Sequence, residues 1–361
     1  MMMAAKRAGE GDDLALIAKR QRTDGGAVVP VGNASSQPNN QLSVTSEGVK
    51  RTSSLDAPIM LLTGHGGPVY TMKFNPQGTA IASGSHDKDI FLWNVQGDCD
   101  NYMVLKGHRN AVLDLCWTTD GQHIISASPD KTVRAWDAIT GKQIKKMAEH
   151  SSFVNSCCAA RRGPPLIISG SDDGTAKLWD MRHRGCIQTF PDKYQVTAVA
   201  FSDGADKIFS GGIDNEIKVW DLRKNEVAMK LQGHTETITS MQLSPDGSYL
   251  LTNSMDCTLR VWDMRPYAPQ NRCVKIFTGH QHNFEKNLLR CNWSPDGQKV
   301  TSGSADRMVY IWDTTSRRIL YKLPGHSGCV NEAVLHPREP IIGSCGSDKQ
   351  IYLGEIDPTV R

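Results

Sequence analysis

No apolar run in this chain approaches the 18 or so residues of a membrane-crossing helix, and the N-terminus lacks the apolar core of a secretion signal. The 10 Cys stand singly except for Cys157-Cys158, and no C-x-x-C pair occurs. That excludes a disulfide scaffold and a zinc site of the usual spacing, and fits a reduced compartment. Neither sign of charge dominates, since 41 Lys and Arg against 38 Asp and Glu leave a net charge of +3. A basic stripe of the kind that grips phosphates is therefore not required of it, although local basic patches are compatible with this balance. Nor does the chain hold a G-x-x-x-x-G-K phosphate loop or a G-x-S-x-G nucleophile elbow.

What the chain does have is repetition. The stretch Gly107 to Asp137 opens on Gly-His, alternates through Val112, Leu115 and Trp117, and turns at Asp120-Gly121. It returns through Ile124 to Ser128, turns at Asp130-Lys131, and leaves on Val133 to Trp136. Alternation bounded by turn dipeptides predicts short antiparallel strands. The closing Trp recurs at Trp93, Trp136, Trp179, Trp220, Trp262 and Trp312, with Gly354 in the seventh place, in steps of 43, 43, 41, 42, 50 and 42 residues. Six residues before each place sits an Asp: Asp87, Asp130, Asp173, Asp214, Asp256, Asp306 and Asp348. Four before each Asp sits a hydroxyl: Ser83, Ser126, Ser169, Ser210, Thr252, Ser302 and Ser344. His65, His108, His150, His234, His280 and His326 open the units, and only the fourth has Asp192 instead. A period of about 42 residues belongs to propeller blades.

These markers resemble the WD40 repeat family from about Pro58 onward. The resemblance implies an all-β fold, a seven-bladed propeller of four-stranded blades. It also implies a buried hydrogen-bonded chain of Trp, Ser or Thr, His and Asp in each blade. Residue matching gives complete sets in units one (His65, Ser83, Asp87, Trp93), two (His108, Ser126, Asp130, Trp136) and three (His150, Ser169, Asp173, Trp179). Units five (His234, Thr252, Asp256, Trp262) and six (His280, Ser302, Asp306, Trp312) complete the list. Unit four lacks the His and unit seven the Trp. Seven copies of a Ser-Asp pair describe a structural network rather than a hydrolase triad, so neither catalysis nor a cofactor is expected.

Residues 1–57, rich in Gly, Ser, Asn and Gln, predict a disordered tail preceding a propeller over 58–361. Within the tail, Lys6-Arg7 and Lys19-Arg20 with Arg22 have the spacing of a bipartite nuclear import signal, which predicts a nuclear protein. Ile59 to Leu62 matches the segment before each later Gly-His, while little chain remains after Gly354. This strand is expected to complete the last blade and close the ring. The 50-residue step places inserts in Met264 to Arg272 and Gln281 to Asn287, on opposite faces, and inserts on repeat scaffolds often carry binding. Arg161-Arg162 should point to the rim.

The resemblance implies that partners meet one face of the disc at fixed positions. Carried over, these include Tyr70, His86, Leu113, Phe153, Asn155, Asp172, Ile213, Met255, Leu289 and Asn331, joined by Phe284 of the insert. Their mostly uncharged character suits docking of protein rather than phosphate. Trp93 to Tyr102, His282 to Cys291 and Ser316 to Pro324 further resemble the spliceosomal propellers of the U5 small nuclear ribonucleoprotein. That implies a non-enzymatic scaffold in pre-mRNA splicing, a monomer inside a large assembly. It would contact the particle's large scaffold protein and RNA helicase, with RNA touched indirectly or little and no membrane or small-molecule substrate. A second resemblance, of the W-D-x-R endings at Arg182, Arg223 and Arg265, is to substrate receptors of cullin ubiquitin ligases, where the Arg touches the adaptor.

Overall fold

The computed structural model describes residues 51–357. The basic clusters Lys6-Arg7 and Lys19 to Arg22 lie outside the described residues. The described residues form seven four-stranded antiparallel sheets and no helix, arranged as a seven-bladed propeller. In unit one the strands run from the channel outward as Val69–Phe74, Ala80–Ser85, Ile90–Asn94 and Asn101–Leu105, and the later units repeat that order. Alternation puts one face of each sheet against the preceding blade. Thus Trp136 packs among Ala82, Ile90, Leu92 and Leu105 of unit one, and Trp179 among Ile125, Val133 and Met147 of unit two. Burying a side chain of this size stabilises by roughly 3 kcal/mol, repeated from blade to blade.

The seventh sheet closes the ring. Its outer strand is Ile59–Leu62, paired with Ile351–Glu355 in the register Ile59 to Gly354 and Leu62 to Ile351. Residues 51–57, which the sequence assigned to the tail, are packed against the propeller. Arg51 is buried, pairs with Glu355 at 2.9 Å and donates to the Leu55 carbonyl at 2.7 Å. The Ser54 backbone N–H donates to Glu339 at 2.7 Å, and Leu55 enters the core beside Val95 and Cys99. The sequence masked this lash because its polar residues find their partners about 300 positions away.

Two kinds of bulge recur and decide where functional side chains point. The third strand slips against the fourth just before each Trp, at Leu92/Trp93 and its counterparts through Ile311/Trp312. The inner strand slips against the second at Tyr70, Asn155, Thr197, Thr239 and Asn331. A bulged residue leaves the ladder and its side chain is re-aimed.

Candidate interaction faces and the central channel

In units one, two, three and five the expected chain of side chains is assembled. His65 Nε2 lies 2.8 Å from Ser83 Oγ, His65 Nδ1 lies 2.9 Å from Asp87, and the Trp93 indole donates to Ser83 Oγ at 2.8 Å. His108 with Ser126, Asp130 and Trp136 repeats this at 2.6, 2.9 and 2.9 Å. His150 with Ser169, Asp173 and Trp179 does so at 2.8 Å throughout, and His234 with Thr252, Asp256 and Trp262 at 2.8, 2.9 and 2.9 Å. With Nδ1–H directed at the carboxylate, Nε2 is left to accept from the hydroxyl, so neither nitrogen is free for proton transfer. Burial would raise the Asp130 carboxyl, yet hydrogen bonds from His108, Thr132 and the Arg109 backbone hold it far below the usual carboxylate range. In His108, His150 and His234 burial outweighs the carboxylate and lowers the imidazole.

Unit six departs from its expected set. The Trp312 indole donates to the Thr278 carbonyl at 3.1 Å, and Ser302 donates to the Gly303 carbonyl at 2.9 Å. The cause is Tyr310, eight residues after Ser302, whose ring stacks on Trp312 and whose hydroxyl claims Asp306 at 2.6 Å. His280 turns instead to Asn253 of unit five, at 2.9 Å. Its Nδ1, and Nε2 of the neighbouring His282, are buried with no hydrogen-bond partner among the described residues. Burial lowers His280 to about 3 and His282 to about 4.

Units four and seven complete themselves differently. The residue eight after Ser210 is Lys218, whose ammonium bridges Asp192 and Asp214, at 2.6 Å to the latter, while Trp220 keeps its bond to Ser210. An ion triad thus stands where the imidazole would be, and the pairing of Asp192 with Lys218 was the signal for it in the sequence. In unit seven His326 holds Ser344 and Asp348, both at 2.9 Å, and the ring edge of Tyr352 lies against it.

The candidate docking residues divide by the bulges. Asn155, Asn331 and Leu289 are buried and offer no docking surface. Bulging turns Asn155 Nδ2 onto the Val196 carbonyl at 3.2 Å and Asn331 Nδ2 onto the Val69 carbonyl at 2.7 Å. Thr239 donates to the Leu289 carbonyl at 2.9 Å. These side chains staple unit three to four, unit five to six and unit seven to one. Phe153 and Ile213 remain about half exposed, His86 is exposed with Nδ1 3.3 Å from the Tyr70 hydroxyl, and Leu113, Asp172 and Met255 are partly covered. Phe284 is 90% exposed, carried on an insert that Cys329 fastens through Asn283 and Glu285, each at 3.2 Å. On the opposite face Tyr267 of the other insert is fully exposed. Arg182, Arg223 and Arg265 are exposed there too, with Arg265 forked onto Asp263 of its own turn.

The channel holds charges that the repeat markers did not reveal. Arg290, on the inner rim of unit six, reaches across to Asp114 of unit two at 3.1 Å and to the Asn155 carbonyl of unit three at 2.8 Å. Asp114 also accepts from Ser156 and the Cys157 N–H. Lys73 pairs with Glu332 of unit seven, which further accepts from Thr71, the Met72 N–H and Asn292. Burial opposes both charges, but the pair holds Glu332 below the usual carboxylate range and Lys73 above its ordinary value. Arg161, expected at the rim, instead crosses the channel mouth to the Leu243 and Ser244 carbonyls, each at 2.6 Å. A cavity of about 550 Å³ remains, walled partly by Leu115, Trp117, Phe201 and Trp293. The signal in the sequence was a charge in each of four otherwise apolar or small inner segments.

Comparison with known proteins fits this geometry. The family model described as WD domain, G-beta repeat matches residues 56–94, 99–137, 141–180, 184–221, 225–263, 271–313 and 317–353. The chain is 56% identical over 352 residues to the human U5 small nuclear ribonucleoprotein 40 kDa protein, covering 96% of this chain and 98% of that one. It is 53% identical over 312 residues to the Dictyostelium discoideum protein of the same name, covering 86% and 88%. It is 44% identical over 309 residues to the pre-mRNA-splicing factor cwf17 of Schizosaccharomyces pombe, covering 86% and 91%. The chain belongs to the WD domain, G-beta repeat family.

Proposed function

We propose that this chain is a scaffold subunit of the U5 small nuclear ribonucleoprotein that acts in nuclear pre-mRNA splicing without catalysing a reaction. The observation that carries this reading is likeness to the human 40 kDa protein over nearly the whole of both chains. The geometry supports a scaffold. The hydroxyl, imidazole and carboxylate groups of units one, two, three and five satisfy one another inside the blades, and the uncommitted side chains on the two faces are aromatic and apolar groups with scattered cations. Its partners are proteins of that particle, foremost the large scaffold protein and the RNA helicase. With a net charge of only +3, the chain is held by protein contacts and touches RNA little.

Affinity purification of the tagged chain from nuclear extract, at moderate and high salt, tests this. Recovery of U5 RNA together with large splicing proteins, surviving salt, is expected. Recovery of a cullin adaptor without that RNA would overturn it.

A further inference from the structure

Each blade carries one turn residue with left-handed backbone. It follows the repeated Asp, between the second and third strands, and has positive φ in every unit: Lys88, Lys131, Gly174, Asn215, Cys257, Arg307 and Lys349. At φ of 59 to 77° the backbone favours Gly or Asn. Units three and four obey that preference. Units six, seven, one and two, which are consecutive around the ring, place a cation there instead. Arg307, Lys349, Lys88 and Lys131 are all exposed, as is Arg109 beside His108 on the same face. None of the five makes an ion pair or side-chain hydrogen bond with another described residue. Over units three and four the same face turns apolar, with Phe153, Tyr194 and Ile213 each about half exposed.

We infer that this basic arc is a docking surface for an acidic polypeptide segment, whose carboxylates meet the turn cations. Charge complementarity selects the occupant. The arc offers about one free cation per blade, and the Glu285 carboxylate stands exposed within it. Carboxylates spaced along a peptide can match so sparse a row and avoid Glu285. A nucleic acid strand, with a phosphate at every residue, meets too few cations and a repelling carboxylate. The tetrad carboxylates do not cancel the arc, because each is already engaged inside its blade. A simple acidic peptide probes the arc independently of any splicing partner.

The test is fluorescence anisotropy of a labelled poly-glutamate peptide whose glutamates are separated by Gly-Ser spacers, and of a labelled poly-uridylate RNA, titrated with the full chain at low and moderate salt. The arc variant is K88E/K131E/R307E/K349E. The control K142E/K224E/R317E/R318E makes the same charge change at exposed turns of the opposite face. The parent chain should bind poly-glutamate more tightly than poly-uridylate, with affinity falling as salt rises. The arc variant should lose about tenfold or more and the control less than about twofold, both melting as the parent does. If the four reversals together disturb folding, K88E/K131E and R307E/K349E serve separately. Equal losses in both variants would reduce the effect to net charge, and absence of poly-glutamate binding would remove the site. Tighter binding of poly-uridylate, lost in the arc variant, would make the arc an RNA surface.

Discussion

Arg290 and Asp114 meet at 3.1 Å across the centre of the ring, both about 95% buried, although 176 residues separate them in the chain. Arg290 also donates to backbone carbonyls of Leu113 and Asn155, so one side chain ties unit six to units two and three. A propeller normally transmits force only between neighbouring blades, and this contact joins blades that are not neighbours.

Arg290→Met should therefore destabilise by about 3 to 5 kcal/mol, because it strands a buried carboxylate. In a urea-melt double-mutant cycle, adding Asp114→Asn should recover a substantial part of that loss. Strict additivity would show that the two side chains are not coupled.

Asp130→Ala should cost about 1 to 3 kcal/mol, since it leaves His108, Thr132 and a backbone N–H without an acceptor. Asp214→Ala should cost less, because Lys218 keeps Asp192. Lys218→Met should cost more than Asp214→Ala by leaving two carboxylates facing each other without the cation. Thermal melts of the three variants give the order directly.

The His280 and His282 imidazoles, lowered by burial to about 3 and about 4, make the fold acid-sensitive. The unfolded chain takes up protons near the ordinary value of 6.5 and the folded chain does not, so stability is lost as pH falls from about 6.5 toward 4. His282→Asn should shrink the difference in stability between pH 7 and pH 4.5 by an amount on the order of 2 kcal/mol. An unchanged difference would place the acid sensitivity elsewhere.

Removal of residues 1–50 should leave the melting temperature unchanged, whereas removal of 1–63 should lower it and promote aggregation. The second truncation strips Ile59–Leu62 from the seventh sheet and exposes Ile351–Glu355 as an open edge. Equal melting temperatures would dissociate this strand from ring closure.

Phe284→Ala and Tyr267→Ala remove the most exposed aromatic from opposite faces, so both should melt as the parent does. If the face of the Gln281 to Asn287 insert carries the main partner, only Phe284→Ala should reduce co-purification of splicing proteins. Loss with Tyr267→Ala alone would assign that role to the other face.

The sequence by itself determined the number of blades, the strand order and four of the five complete hydrogen-bonded sets it marked. Each of these depends on local alternation and on markers at fixed offsets within one repeat. Ring closure by Ile59 to Leu62 also followed from counting strands. Tertiary structure decided what the repeat could not encode, because it arises between repeats. The bulges turned Asn155 and Asn331 from the docking face onto the next blade. Tyr310 took Asp306 and so dismantled the set expected in unit six. Lys218 replaced an imidazole with an ion triad. The charges of Lys73, Asp114, Arg290 and Glu332 found one another only when seven inner strands were brought around a common axis, where burial without a partner would have been too costly to sustain.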